Sequence, residues 1–211
     1  MARYTGPKEK IERRIGERLS IKGVRSAMGK TAITKKPYPP GSNGSKPSRK
    51  PSEFAQQLRA KQKVKNVYRL LEKQFKNYVK KATATHHEPY SLILNSLEHR
   101  LDNVVYRMGL AQSRDAARQL VNHGHITLNG RKASIPSIQV NIGDVISVRE
   151  GSRKTAYFQN IAPQFLQQHE APSWIKLDKQ TMSGTVQGQS SADESGIQVD
   201  DLQAIIEFYS R

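Results

Sequence analysis

Residues 99–131 read HRLDNVVYRMGLAQSRDAARQLVNHGHITLNGR, and this stretch decides the fold. It contains two short apolar patterns at helical spacing, each followed by a glycine, and then an alternating segment around Asn129 and Gly130. An Asn-Gly pair between alternating apolar residues is the strongest local signal of a two-residue β-hairpin. The stretch therefore predicts two helices and a hairpin, with arginines, amides and histidines concentrated where these elements join.

The residues before this stretch extend its first helical pattern. Residues 89–108 are predicted to form one helix, with Pro89 in the first turn and Gly109 just past the end. Apolar residues recur there at steps of three and four, which predicts the buried side of the helix: Leu94, Leu97, Leu101, Val104 or Val105, and Met108. Ser113 is predicted to cap the second helix, and Gly124 to end it.

Strand signals follow these helices. Residues 125–133 and 138–150 alternate around turns, and residues 174–187 suggest a further strand and turn. The predicted fold class is therefore α+β. It combines a mostly helical N-terminal domain, which carries an extended basic tail, with a small module of two helices packed on a short antiparallel sheet.

The N-terminal half is basic. Ser52 is predicted to cap an amphipathic helix of about thirty residues, or two helices broken near the middle. Residues 1–51 are rich in Pro, Gly and Ser, so they are interpreted as a disordered tail or as a segment that orders on a polyanion. Residues 190–196 are predicted to be a solvated acidic loop, and the apolar residues 201–211 to dock on the helical part.

Four regions follow from these patterns. They are a basic extension (1–51), a helical domain (52–88), the module of helices and small sheet (89–161), and a C-terminal segment that returns to the helical domain (162–211).

The charge of the chain is concentrated in one part. The net charge is +17, and residues 1–81 hold 23 Lys and Arg against 5 Asp and Glu, whereas residues 82–211 hold 12 against 13. One-sided positive charge is typical of a nucleic-acid partner, with an anionic membrane surface as the second candidate. The chain has no cysteine, no long apolar run and no signal-peptide pattern, so a soluble cytoplasmic protein is expected.

Catalytic and metal-binding patterns are missing from the sequence. The histidine pairs at 86–87 and 123–125 lack accompanying ligands, so no metal and no other cofactor is expected. His123 and His125 are interpreted as polar donors beside a turn or as neutral packing residues. Asp102 is expected to orient an arginine rather than to act as a general base, and no enzymatic activity is predicted.

RNA binding accounts better for residues 99–131. Arginine can hold a phosphate with two hydrogen bonds, and structured RNA is recognised largely through its backbone and 2′-hydroxyls. Predicted donors are Arg100, Arg107, Arg114, Arg118, Arg131, Gln119, Asn122 and His123. The alternative is that some of these arginines pair with Asp102, Asp115 or Glu98.

The segment LEHRLDNVVYRMGLAQSRDAARQLVNHGHITLNGRKASIPS resembles the RNA-binding module named after the fourth protein of the bacterial small ribosomal subunit. The flanks MARYTGPKEKIERR, PYPPG, SEFAQQLRAKQKVKNVYRLLEKQFKNY and IIEFYSR resemble that ribosomal protein family itself, nearly from end to end. The resemblance implies a primary binder of small-subunit, 16S-type rRNA that nucleates assembly of the 5′ domain. It also implies contact with small-subunit proteins three and five, an influence on accuracy where mRNA enters, and binding of mRNA, including the operon transcript.

Candidate rRNA contacts combine the resemblance with the basic pattern. They are Arg3, Tyr4, Lys8, Arg13, Arg14, Arg49, Lys50, Arg59, Lys61, Lys63, Lys65, Arg69, Arg100, Asn103, Arg107, Ser113, Arg114, Arg118, Gln119, Asn122, His123 and Arg131. Many family members carry zinc-binding cysteines near positions 9–31. This chain has none there, so it resembles the zinc-free branch, whose N-terminal fold must be held in another way, with rRNA itself as one option.

Three rival functions remain open at this point. An RNA-modifying enzyme can use the same module, but it needs a separate catalytic domain for which no stretch here is long enough. A free-standing regulator that binds mRNA or stalled ribosomes is the second. A membrane-surface role is the third, and it is disfavoured because the basic stretches lack Trp and are interrupted by Pro.

Overall fold

The computed structural model describes residues 4–46, 50–85 and 88–210, so Arg3, Arg49 and the pair His86 and His87 lie outside the described residues. The chain divides into two compact units. The first comprises Met1–Ile93 and Gly196–Arg211, and the second comprises Leu94–Ser195. Residues 162–195 thus belong to the second unit, and only the last residues return to the first. The predicted α+β class is confirmed.

The secondary-structure elements are as follows in chain order. The helices are α1 (Lys8–Ile15), α2 (Val24–Ala27), α3 (Ala32–Lys35), α4 (Glu53–Val67), α5 (Glu72–Thr83), α6 (Pro89–Glu98), α7 (Leu101–Arg107), α8 (Arg114–Asn122), α9 (Glu150–Arg153), α10 (Ala162–Gln168), α11 (Ala192–Ser195) and α12 (Val199–Ser210), and a π-helical turn (Tyr157–Ile161) precedes α10. The strands are β1 (Ile126–Leu128), β2 (Arg131–Ala133), β3 (Val145–Val148), β4 (Ile175–Asp178) and β5 (Ser183–Val186).

The long amphipathic pattern after residue 51 forms two helices, α4 and α5. The predicted cap is present, because the Ser52 hydroxyl accepts a hydrogen bond from Ala55 N at 3.3 Å. The chain leaves the helical path after Val67, and Arg69 adopts a positive φ of 56°. Helix α12 packs against both α4 and α5, with Leu202 and Ile205 buried.

The N-terminal segment is held by its own side chains. The buried Glu12 carboxylate accepts hydrogen bonds from the backbone N–H groups of Leu19 (3.3 Å) and Ile21 (3.4 Å). Leu19 and Ile21 pack together with Ile15 in a small apolar cluster. Arg13 donates to backbone carbonyls within residues 36–39. A buried carboxylate and an apolar cluster therefore organise this part of the N-terminal segment.

The prediction of a single helix over residues 89–108 is wrong. The chain breaks between α6 and α7, where Arg100 is extended (φ −70°, ψ 137°). The N–H groups of Leu101 and Asp102 donate to the carbonyls of Ile138 and Pro136 instead of to the preceding turn. The break therefore exists because a distant segment, which contains a turn at Pro136, supplies the backbone partners that a continuous helix would have supplied internally.

The predicted buried stripe survives this break. Leu94, Leu97, Leu101, Val104, Val105 and Met108 are all nearly inaccessible to solvent. Ser113 caps α8, because its hydroxyl accepts from Ala116 N at 3.2 Å. Gly109 and Gly124 follow their helices with φ values of 77° and 72°, as the sequence predicts. Helices α7 and α8 pack on each other.

The second unit contains a five-stranded antiparallel sheet with the order β2-β1-β3-β5-β4. Asn129 and Gly130 form the predicted turn between β1 and β2, with φ values of 50° and 77°. Residues 174–187 form the hairpin of β4 and β5, where a strand and turn were predicted. The prediction of a loop at 190–196 is wrong in part, because α11 forms there and Glu194 Oε1 accepts from Ser173 N at 2.9 Å.

Candidate nucleic-acid interface

The predicted contact residues differ in their exposure to solvent. In the first unit, four of these residues are exposed: Tyr4, Arg14, Lys50 and Arg59. Four are half-buried: Lys8, Arg13, Lys63 and Lys65. Lys61 and Arg69 are buried. In the second unit, four are exposed: Gln119, Asn122, His123 and Arg131. Three are half-buried: Arg107, Ser113 and Arg114. The remaining three, Arg100, Asn103 and Arg118, are buried. Only the exposed and half-buried groups can reach a phosphate without rearrangement of the fold.

Arg100 lies at the break between α6 and α7 with its side chain fully buried. Its Nε and Nη2 donate to the two carboxylate oxygens of Asp102 at 3.0 and 2.9 Å. Arg118 Nε lies 3.7 Å from the same carboxylate. Asp102 therefore orients two arginines, in agreement with the alternative prediction that some arginines pair with this carboxylate. The contact with Arg118 also joins α7 to α8.

Glu98 is the centre of a second buried network. Its carboxylate, only 1% exposed, accepts two hydrogen bonds from Arg107 at 2.8 Å and one from Asn103 at 2.8 Å. Arg114 Nε donates to Asn103 Oδ1 at 2.7 Å, and the Arg114 guanidinium lies 4.6 Å from the centre of the Tyr106 ring. The half-buried arginines Arg107 and Arg114 are thus held in fixed orientations at the surface of the second unit.

The end of α8 and the first hairpin form a group of exposed donors. Gln119, Asn122 and His123 lie at the helix end, and Arg131 lies at the start of β2. A Cβ atom on Gly124 would lie 2.2 Å from Cε of Lys132, so the Lys132 side chain crosses this glycine. We call this group of residues the hairpin face. Lys132 is a member that the sequence-based list of contacts omitted.

His125, beside this face, behaves as a packing residue. Its Nδ1 lies 3.0 Å from the hydroxyl of Ser152, and its ring meets that of Phe158 edge-on at 5.9 Å. Burial lowers the pKa of His125, and the nearby His123 and Arg149 act in the same direction. The neutral interpretation of this histidine therefore fits its surroundings.

In the first unit, the lysines of α4 are largely engaged by carboxylates. Lys61 and Lys65 each lie 2.9 Å from Glu72, and Lys63 lies 2.8 Å from both Glu17 and Asp201. The sequence contains one carboxylate, Glu72, within residues 59–81, and therefore did not reveal the partners from distant segments. Helix α4 contributes structure as well as charge.

Helix α5 presents a group of four exposed cations. Lys73, Lys76, Lys80 and Lys81 are exposed, and none of them forms an ion pair within the part of the chain that the structure describes. Lys73, Lys76 and Lys80 follow steps of three and four, so they share one side of the helix. We call these four lysines the α5 face. The nine cations of residues 59–81, which include these four lysines, already favour phosphate contact in the sequence, although the candidate contacts named above stop at Arg69 within this segment.

Glu72 connects α4, α5 and α12. Besides its two lysines, Glu72 accepts a hydrogen bond from the Tyr209 hydroxyl at 2.6 Å. Partial burial acts to raise the pKa of Glu72, but the hydrogen bonds from Lys61, Tyr209 and Lys65 outweigh it and lower the pKa to about 2. Burial and the bond to Glu72 raise the pKa of Tyr209.

Acid is therefore expected to weaken the first unit through Glu72. Because the folded-state pKa lies below the ordinary value of 4.5, the ionised Glu72 stabilises the fold fully above that value and loses this effect as the pH falls toward 2. Replacing Glu72 with Gln should remove this part of the pH dependence of the midpoint of urea unfolding. An unchanged pH profile in Glu72→Gln would contradict the assignment, and Asp193→Gln, at an exposed carboxylate in α11, serves as the control.

The described residues contain no helix long and apolar enough to cross a membrane. They also contain no group of three or more His, Asp or Glu side chains placed to hold a metal ion.

Comparison with known proteins places the chain in a family. Residues 3–99 match the family described as Ribosomal protein S4/S9 N-terminal domain, and residues 99–146 match the S4 domain. The chain is 46% identical over 211 residues to the small ribosomal subunit protein uS4 of Halothermothrix orenii, and 46% identical over 213 residues to that of Herpetosiphon aurantiacus. It is 44% identical over 211 residues to that of Syntrophomonas wolfei, and each of these alignments covers all of both chains. The chain therefore belongs to the uS4 family of small ribosomal subunit proteins.

Proposed function

We propose that this protein is a structural, non-enzymatic component of the small ribosomal subunit that binds 16S-type rRNA. The observation that carries the proposal is the α5 face, a row of exposed lysines that form no ion pair with the residues the structure describes, in a chain whose relatives are named as small-subunit proteins. Cations held on rigid elements neutralise phosphates and release counterions without reordering of the protein. The function is carried out in the cytoplasm, as part of the subunit.

The contact residues take two roles in this proposal. Exposed and half-buried groups contact the rRNA backbone directly: Tyr4, Lys8, Arg13, Arg14, Lys50, Arg59, Lys63, Lys65, Arg107, Ser113, Arg114, Gln119, Asn122, His123 and Arg131, together with the α5 face and Lys132. The buried residues position these contacts. Arg100, Asn103 and Arg118 do so in the second unit, and Lys61 and Arg69 do so in the first. Arg3 and Arg49 remain predicted contacts.

The wider role is early assembly. A protein whose two units each bear their own cations can contact more than one RNA helix of a junction, which suits a primary binder that nucleates the 5′ domain. Contacts with small-subunit proteins three and five, and through them an influence on accuracy where mRNA enters, complete the proposal. The same surfaces would bind a folded operon mRNA, because structured RNA is recognised by shape.

The full-length protein should bind a transcript of the 5′ domain of small-subunit rRNA far more tightly than an unrelated structured RNA of equal length or heparin. The logarithm of the affinity should fall linearly with the logarithm of the salt concentration, because phosphate contacts release counterions. Filter-binding titrations at several salt concentrations measure both quantities. Equal affinity for all three polyanions would overturn the proposal, and so would failure to sediment with salt-washed small subunits.

A further inference from the structure

The first unit contains a cavity of about 440 Å³ between α1 and α4. Ile11, Ile15 and Leu58 contribute apolar surface to its lining, and the ring of Tyr4 contributes an aromatic one. Cavities that bind small organic ligands have volumes of roughly 300–1,000 Å³ and combine apolar walls with a few polar groups. The size and the lining therefore suit a planar group about as large as a nucleobase.

The charged residues that line the cavity are all cations. Arg14, Arg59 and Lys65 contribute to it, and no described lining residue carries a carboxylate. Lys65 also lies 2.9 Å from Glu72, whereas Arg14 and Arg59 are exposed. Cations beside an apolar wall are complementary to a ligand that joins an anionic group to a planar ring.

The Tyr4 ring is held in place by its neighbours. A Cβ atom on Gly6 would lie 2.5 Å from the Tyr4 hydroxyl, so the ring lies directly over this glycine. The Arg69 guanidinium lies 5.6 Å from the ring centre, and Arg69 Nη2 donates to the Tyr4 carbonyl at 3.3 Å. Tyr4 nevertheless remains 41% exposed. Because the ring is already held in one orientation and remains accessible, a base could stack on it with little further loss of side-chain entropy.

Two amides of α4 lie in the same lining. Asn66 Nδ2 donates to the Gln62 backbone carbonyl at 2.7 Å and lies 3.5 Å from Gln62 Oε1. These contacts orient both side chains, and within the part of the chain that the structure describes they use neither the Asn66 carbonyl oxygen nor the Gln62 Nε2 donors. A side-chain amide carries an NH₂ group that donates and a carbonyl oxygen that accepts, which is the chemistry that recognises the edge of a base.

We propose that this cavity binds one unstacked nucleotide of the rRNA. The base lies against Tyr4 and the apolar wall, Gln62 and Asn66 face its edge, and Arg14 and Arg59 hold the adjacent phosphates. The inference rests on the proposed rRNA-binding function and adds to it a site for a single nucleotide. RNA loops and junctions supply unstacked bases that aromatic side chains can take up.

Cross-linking tests the site directly. The complex of the full-length protein with the 5′-domain transcript is irradiated with ultraviolet light and digested, and the cross-linked peptides are identified by mass spectrometry. Tyr4 should be joined to one nucleotide position. A complex that forms with normal affinity but yields cross-links to Tyr4 at many positions, or none, would overturn the nucleotide site and leave rRNA binding intact.

A filled cavity provides the second test. Ala55→Trp, within the lining, should lower the affinity for the transcript about tenfold at every salt concentration, as expected for the loss of one stacked base. The slope against salt should stay the same, since no charge is removed. Gln56→Trp, at the adjacent exposed position, is the matched control and should bind normally.

Equal loss in Ala55→Trp and Gln56→Trp, or no loss in either, would overturn the site. Gln62→Leu gives the decisive result if circular dichroism shows that Ala55→Trp is unfolded. This variant keeps the volume and the charge, so it should also weaken binding without changing the slope. Normal binding by a folded Gln62→Leu would then contradict the proposal.

Discussion

Arg100→Met is expected to lower the free energy of unfolding of the second unit by about 3–5 kcal/mol, the usual cost of breaking a buried ion pair by removal of one partner. Arg100 is fully buried, and Asp102 is 5% exposed. After the replacement, the Asp102 carboxylate would keep Arg118, which lies 3.7 Å away in the present structure. Urea unfolding monitored by circular dichroism measures the loss. The midpoint should fall, while the dependence of the unfolding free energy on urea concentration should stay the same.

A double-mutant cycle separates the ion pair from packing. The double variant Arg100→Met, Asp102→Asn should be more stable than Arg100→Met alone, because the second change removes the buried carboxylate charge that has lost Arg100. Lys132→Met, a change of the same kind at an exposed site, should have an effect within about 0.5 kcal/mol. A loss below about 1 kcal/mol in Arg100→Met would show that the pair does not hold the break between α6 and α7.

Replacing Lys73, Lys76, Lys80 and Lys81 with Gln is expected to weaken binding to the 5′-domain transcript on the order of 100-fold near physiological salt. Each lost phosphate contact should also reduce the log–log slope against salt by roughly 0.7–0.9. The fold should be retained, because these side chains are exposed and form no ion pair among the described residues. Filter binding at several salt concentrations measures the affinity and the slope.

A matched variant controls for total charge. The control variant replaces four exposed cations of the second unit for which no contact with RNA is proposed. They are Arg149, Lys154, Lys176 and Lys179, each changed to Gln. That variant should lose much less affinity than the α5 variant. Equal losses would indicate that the RNA responds only to net charge, which would contradict a specific role for the α5 face.

Local signals in the sequence predicted much of the fold. Ser52, Ser113 and the Asn129-Gly130 turn act through neighbours within a few residues, so their roles could be inferred from spacing alone. The break after Glu98 could not be inferred in this way. Its partners, Pro136 and Ile138, lie in a segment far along the chain, and the apolar stripe continues through the break without a change of period.

The candidate interface was predictable in charge but not in exposure. A count along α4 treats Lys61, Lys63 and Arg59 as equivalent, because each is a cation on the same helix. The structure distinguishes them through Glu72 and Asp201, which reach α4 from other elements. How strongly each cation is engaged within the protein is therefore decided by tertiary pairing, and helix periodicity carries no information about it.

The three-way contact of Lys63 with Glu17 and Asp201 has a consequence for synthesis on the translating ribosome. It joins the beginning, the middle and the last residues of the first unit, and α12 completes that unit. Residues 94–195 emerge before α12, so the second unit can fold while the first still lacks its final helix. The first unit, although most of its residues are synthesised first, therefore cannot complete its structure until α12 has been made.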